Sequence, residues 1–93
     1  SLNIVVAHGA DAVRDRLIDC LSTRHQVRAA FATAAEMIDH VRASKPELLV
    51  CGSALADGDG IAAVVELGRV EPLPAVILTS RRSLEPVERA MED

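Results

Sequence analysis

Short apolar blocks and longer amphipathic blocks alternate along this chain. Leu2-Asn3-Ile4-Val5-Val6-Ala7 is almost continuously apolar, the pattern of a strand covered on both faces. His8-Gly9-Ala10 interrupts it, and Asp11 is the expected N-cap of a helix. Val13, Leu17, Cys20 and Leu21 then recur at helical spacing, while Arg14, Asp15, Arg16 and Asp19 fall mostly on the other side. A polar connection, Ser22 to His25, leads to a short second strand from Gln26 to Phe31. Thr33-Ala34-Ala35-Glu36 has the form of a capping box, with Thr at the N-cap and Glu three residues on. Met37, Ile38 and Val41 give the following helix its apolar side, and Lys45-Pro46 stops it, because the residue before a proline is pushed out of helical conformation.

Leu48-Leu49-Val50-Cys51 predicts a third buried strand, and Gly52 to Gly60 a loop rich in Gly, Ala and Asp. Ile61, Val64, Val65 and Leu67 mark a third helix. After Pro72-Leu73-Pro74, Ala75-Val76-Ile77-Leu78 is a fourth strand ending in Thr79-Ser80. Ser83 is placed to cap a fourth helix carrying Leu84, Val87, Ala90 and Met91, with Pro86 in its first turn, where a missing N–H is tolerated. Strands alternating with helices imply an α/β fold: a doubly wound parallel sheet with right-handed crossovers and helices on both faces, three layers in one domain. Such folds place function at the carboxyl ends of their strands. Four segments fall there: His8-Gly9, Gly52-Ser53, Asp57-Gly58-Asp59-Gly60 and Thr79-Ser80.

Composition narrows the function. Apolar residues are 49% of the chain but aromatics only 1%, with Phe31 alone. The core must therefore be built from Ala, Val, Leu and Ile, and no aromatic platform exists on which bases could stack. The net charge of −4 argues against a phosphate-backbone binder, so no direct nucleic-acid contact is expected. No apolar run approaches the ~20 residues of a membrane span, and no signal peptide is visible, so a cytoplasmic location without membrane contact is expected. Cys20 and Cys51 form no CxxC and sit in apolar runs, which predicts buried, reduced thiols.

Several segments together resemble the receiver domain of two-component response regulators, a flavodoxin-like fold. Ile4-Val5-Val6-Ala7 with Val13-Arg14 resembles the family's first strand and helix. Lys45-Pro46-Glu47-Leu48-Leu49-Val50 resembles its approach to the third strand, and Asp59-Gly60-Ile61 the opening of its third helix. Pro74 to Ser80 resembles its fourth strand, which ends in a hydroxyl residue. Set against that pattern, the family's last βα unit is expected to lie outside this sequence. Ser83-Leu84-Glu85-Pro86-Val87-Glu88-Arg89-Ala90 further resembles receivers attached to ANTAR domains, whose RNA-binding part would lie outside this chain.

The resemblance implies phosphorelay chemistry, for which the family uses an acidic pair after the first strand, Mg²⁺, and an acceptor Asp ending the third strand. Mg²⁺ takes hard oxygen ligands, and the nucleophile must be a carboxylate in line with the phosphoryl group. Here the acidic pair falls on His8 and Gly9, and counting back from Asp59 by the family's spacing puts the acceptor at Gly52. Thr79 matches the switch hydroxyl. The expectation is a pseudo-receiver: no enzyme, no cofactor, a lost Mg²⁺ site, and action through a protein partner or a homodimer. Two alternatives stand beside it, a conventionally phosphorylated regulator and a small ligand-binding α/β domain using the cleft of His8, Ser53 and Thr79.

Other candidates are weaker. His25 and His40 are expected at the surface. Pairing His8 with Cys51 as metal ligands is disfavoured, because Cys51 precedes Gly52 and should face the other side of the sheet. Ser53 has no His or acid placed to activate it, and no GxSxG elbow is present. Asp57-Gly58-Asp59-Gly60 lacks the spacing of an EF-hand and reads as a helix cap with turn glycines. No phosphate-cradling Gly-rich motif occurs.

Overall fold

A computed structural model describes residues 1–70 and 72–79. The expected fourth helix and the Ser83–Ala90 stretch lie outside the described residues, as does Ser80. Strands β1 (Asn3–Ala7), β2 (Gln26–Phe31) and β3 (Leu48–Gly52) alternate with helices α1 (Asp11–Ser22) and α2 (Ala34–Ser44). Two short strands follow, β4 (Ala54–Leu55) and β5 (Gly58–Asp59), then α3 (Gly60–Val70) and β6 (Ala75–Leu78). The main sheet has the order β2-β1-β3-β6, with every pairing parallel. The chain thus starts in the middle of the sheet, winds outward to β2, and crosses back over β1 to β3 and β6. That reversal opens a crevice at the carboxyl ends of β1 and β3.

The near-continuous apolar runs became the central strands for the reason the pattern suggested: they are covered on both faces. Val5, Ala7, Leu49 and Cys51 point toward α2 and α3, where they pack with Met37, Val41, Ala63 and Leu67. Ile4, Val6 and Val50 point the other way, toward Leu17 and Leu21 of α1. The first face is the larger core. The second is thinner: α1 has no fully buried residue, and Val76, beside Val50 in the sheet, is 46% exposed.

Two local expectations are corrected, and a third, Thr33 as the N-cap of α2, is met. The N-cap of α1 is Ala10, with no side-chain cap, and Asp11 lies inside the first turn. There its carboxylate pairs with Arg14 one turn on, so it is not free to cap. The Gly52–Gly60 segment is not a plain loop: β4 and β5 pair as an antiparallel hairpin, held down by buried Leu55 and turned at Gly58, whose φ of +150° suits glycine. The capping box of α2 forms in a modified way. Thr33 Oγ1 accepts the Glu36 N–H at 3.4 Å but gives its own proton to the Glu36 carboxylate at 3.1 Å. At the other end of α2, Lys45 takes a left-handed φ of 48° and donates its N–H to the Val41 carbonyl, so the helix ends directly before Pro46.

Candidate functional site at the strand ends

The crevice brings together three of the four expected segments; the fourth, Asp57 to Gly60, lies in the hairpin and the start of α3. His8 follows β1, Gly52 ends β3, Ser53 follows it, and Thr79 follows β6. His8, Ser53 and Thr79 line one cavity of about 410 Å³ together with Val13, Ala54 and Leu78. Strand alternation explains the grouping: His8 and Gly52 continue the face of Val6 and Val50, and Leu78 pairs with Gly52 in the neighbouring strand.

His8 is held by three hydrogen bonds, one of them to its ring. Its backbone N–H donates to the Phe31 carbonyl at 2.9 Å, and its carbonyl accepts from Arg14 Nη1 at 2.8 Å. Its Nδ1 accepts the Ala10 N–H at 3.0 Å. That last bond assigns the lone pair to Nδ1 and the proton of the neutral ring to Nε2. His8 therefore presents a donor, not a lone pair, toward Gly52.

The ring also occupies the space beside Gly52. A Cβ at that position would lie 2.6 Å from His8 Cδ2 and 3.1 Å from Nε2. No side chain fits at position 52 while the imidazole stays where it is. Gly9 is closed in another way. A Cβ there would meet the Ala54 carbonyl oxygen at 3.1 Å and the Ala56 nitrogen at 3.2 Å, so the turn after β1 lies directly on the β4–β5 hairpin. Gly60 is tighter still, with an imagined Cβ only 1.9 Å from the Gly52 carbonyl oxygen. Its N–H donates to the Ser53 carbonyl at 2.9 Å, which ties the start of α3 to the end of β3.

This donor set does not suit Mg²⁺. Gly9 and Gly52 bring no side chain, and His8 turns an N–H to the cavity rather than an oxygen. Among the described residues, no group of three His, Cys, Asp or Glu side chains is arranged to hold a metal. The nearby carboxylates have other work. Asp59 accepts the N–H groups of Ile61 and Ala62 at 2.8 and 3.3 Å, capping α3. Asp57 reaches away from its own hairpin and accepts the Ala34 and Ala35 N–H groups at 2.6 and 3.2 Å, capping α2. The Ala34 bond, aided by that from Ala35, holds the Asp57 carboxyl below the usual range. The sequence reading gave the Asp-Gly-Asp-Gly segment a capping role but not this second helix.

Cys51 lies on the opposite face from His8, as strand parity requires, and burial pushes its thiol up to about 11. Cys20, by contrast, is exposed on α1, which corrects the expectation that both thiols are buried. His40 also departs from expectation. It is half-buried against Phe31, with ring centroids 5.2 Å apart, and its Nε2 is buried without a hydrogen-bond partner among the described residues. His25 is half-buried and accepts the Leu2 N–H at 3.0 Å. No described helix is long and apolar enough to cross a membrane.

No protein-family model and no curated protein matches the chain. Solved structures do. The receiver domain of the response regulator PhyR from Erythrobacter litoralis superposes with a TM-score of 0.75 at 27% identity, over 85% of this chain and 63% of that one. The anti-anti-sigma factor PhyR from Bartonella quintana gives 0.76 at 20% identity, over 83% of this chain and 32% of that one. The response regulator domain of Thermotoga maritima CheB gives 0.80 at 15% identity, over 98% and 71%. This chain thus spans about a third of the Bartonella protein and under two thirds of the Erythrobacter one. Sheet order, layers and crevice define a doubly wound, flavodoxin-like α/β domain. More narrowly, the chain has the fold of a response-regulator receiver domain.

Proposed function

We propose that this chain is a receiver domain without phospho-acceptor chemistry, working as a protein-interaction module in signal transduction. It acts by homodimerisation or by docking on a partner; it is not an enzyme, and its folding needs no Mg²⁺. The observation that carries this reading is the His8 ring seated against Gly52, where the family's acceptor would project. The carboxylates nearest the crevice are committed to helix ends or to Arg14, which supports the same reading. One structurally similar protein is named an anti-anti-sigma factor, and control of a protein partner is the kind of action we carry to this chain. The Ser83–Ala90 resemblance extends the proposal to an RNA-binding output region outside this chain, in a cytoplasmic regulator.

Acetyl phosphate with Mg²⁺, followed by intact mass measurement, tests the reading. The expected result is an unmodified mass. A phosphoryl adduct lost in mild base would identify a conventional regulator instead. Melting curves with and without millimolar Mg²⁺ give a second test, and coincident curves are expected. Sedimentation across a concentration series separates homodimerisation from docking on a different partner.

A further inference from the structure

A receiver-type metal site presents oxygen acceptors to a cation. Here the polar residues among those lining the cavity are His8, whose Nε2 carries the proton, and Ser53 and Thr79, whose hydroxyls can donate or accept. Among the described residues, none of these three groups has a hydrogen-bond partner, and no carboxylate lines the cavity. His8 Nε2 is also accessible: the only side-chain nitrogen or oxygen found buried without a partner among the described residues belongs to His40. The remaining walls are Val13, Ala54 and Leu78, and Val13 is 39% exposed.

Three side chains able to donate a hydrogen bond and three aliphatic ones line the same cavity, a mixture that fits a small amphipathic molecule. We infer that the strand-end cavity binds a small aliphatic carboxylate, its oxygens toward His8, Ser53 and Thr79 and its chain against Val13 and Leu78. The volume of about 410 Å³ lies in the range of small-molecule sites, where a few placed polar groups orient a mostly apolar ligand. His8 is the discriminating group. Its Nδ1 bond to Ala10 keeps the proton on Nε2, so the ring favours an acceptor and offers nothing to a metal. The inference rests on the pseudo-receiver reading, since a phosphoryl group at position 52 would need the same space.

The probe is butyrate, titrated into the full chain while the His8 ring nitrogens and the Thr79 methyl are followed by NMR. A saturable shift at both is expected, with affinity of order millimolar. Acetate, which lacks the longer chain, should bind roughly tenfold more weakly, because it covers less of the apolar wall. Inorganic phosphate should bind more weakly than butyrate for the same reason. Butyramide, with the chain but no charge, should also fall behind. His8→Phe keeps the ring volume over Gly52 and removes the donor, so it should abolish the shift at Thr79 while its backbone spectrum stays folded. Absence of a saturable butyrate shift, or an undiminished one in folded His8→Phe, overturns the inference. Equal binding of acetate and butyrate overturns the role of the apolar wall. A phosphoryl adduct in the acetyl phosphate experiment instead overturns the pseudo-receiver reading, so the two failures are told apart.

Discussion

Two neighbouring regions at the carboxyl edge of the sheet treat polar chemistry in opposite ways. Among the described residues no carboxylate lines the cavity beside His8 and Gly52, and an imidazole and close backbone contacts take up the room. A few residues later, in the β4–β5 hairpin, Asp57 and Asp59 are present, yet both spend their oxygens on backbone N–H groups of α2 and α3. The comparison shows that acidic residues near a crevice do not by themselves make a metal site. What matters is whether their oxygens converge on one point or are already taken by helix ends.

The largest expected effect falls where the two regions are riveted together. Gly60→Ala places a methyl 1.9 Å from the Gly52 carbonyl oxygen, a backbone atom that cannot step aside. A loss of about 3 kcal/mol or more in urea unfolding is expected. A near-neutral result would mean that α3 and β3 can separate at little cost. Next comes the His8–Gly52 contact. Gly52→Asp should cost roughly 1–3 kcal/mol, and less in a His8→Ala background, with a coupling energy of about 0.5 kcal/mol or more in the double-mutant cycle. Strict additivity would show that the ring does not block position 52.

Smaller effects test the hairpin. Asp59→Ala removes a cap from α3 and should lower stability by about 1 kcal/mol, with the first turn of α3 gaining amide exchange. The gentlest test is pH. The Asp57 carboxyl is held below its usual range in the folded protein, so its contribution is complete above the ordinary unfolded value of about 4 and is lost as the pH falls through the lower folded value. Melting temperatures of the parent and Asp57→Asn should therefore differ near neutrality and converge in acid. A gap that persists unchanged at low pH would place the effect elsewhere than in ionisation.

Much of this architecture could be read in advance. The runs at Ile4–Ala7 and Leu48–Cys51 announced buried strands because both of their faces are covered, and an uninterrupted apolar block has few other uses at that length. The positions of His8, Gly9, Gly52 and Thr79 at one edge followed from the alternation of elements alone. What escaped was every feature that depends on a partner distant in sequence. Asp57 caps a helix that begins 23 residues earlier, and no local motif marks such a bond. His40 is drawn inward by Phe31, although its own helix side is polar in pattern. Asp11 looked like an N-cap because its type and place were right, but Arg14 claims its carboxylate while His8 Nδ1 takes up the N–H of the true N-cap, Ala10. That His8 fills the place beside Gly52 is likewise invisible to spacing, since it depends on how two strand ends approach one another.

The seating of His8 against Gly52 makes the two positions interdependent under substitution. An acid introduced at position 52 by a single substitution meets the ring before it meets any metal or phosphoryl donor. Replacing His8 first removes the obstacle but also removes the acceptor that holds the Ala10 N–H, with nothing gained until the second change arrives. Each single change is thus expected to lower stability. The two positions are therefore coupled, so that what can stand at either one depends on the residue at the other.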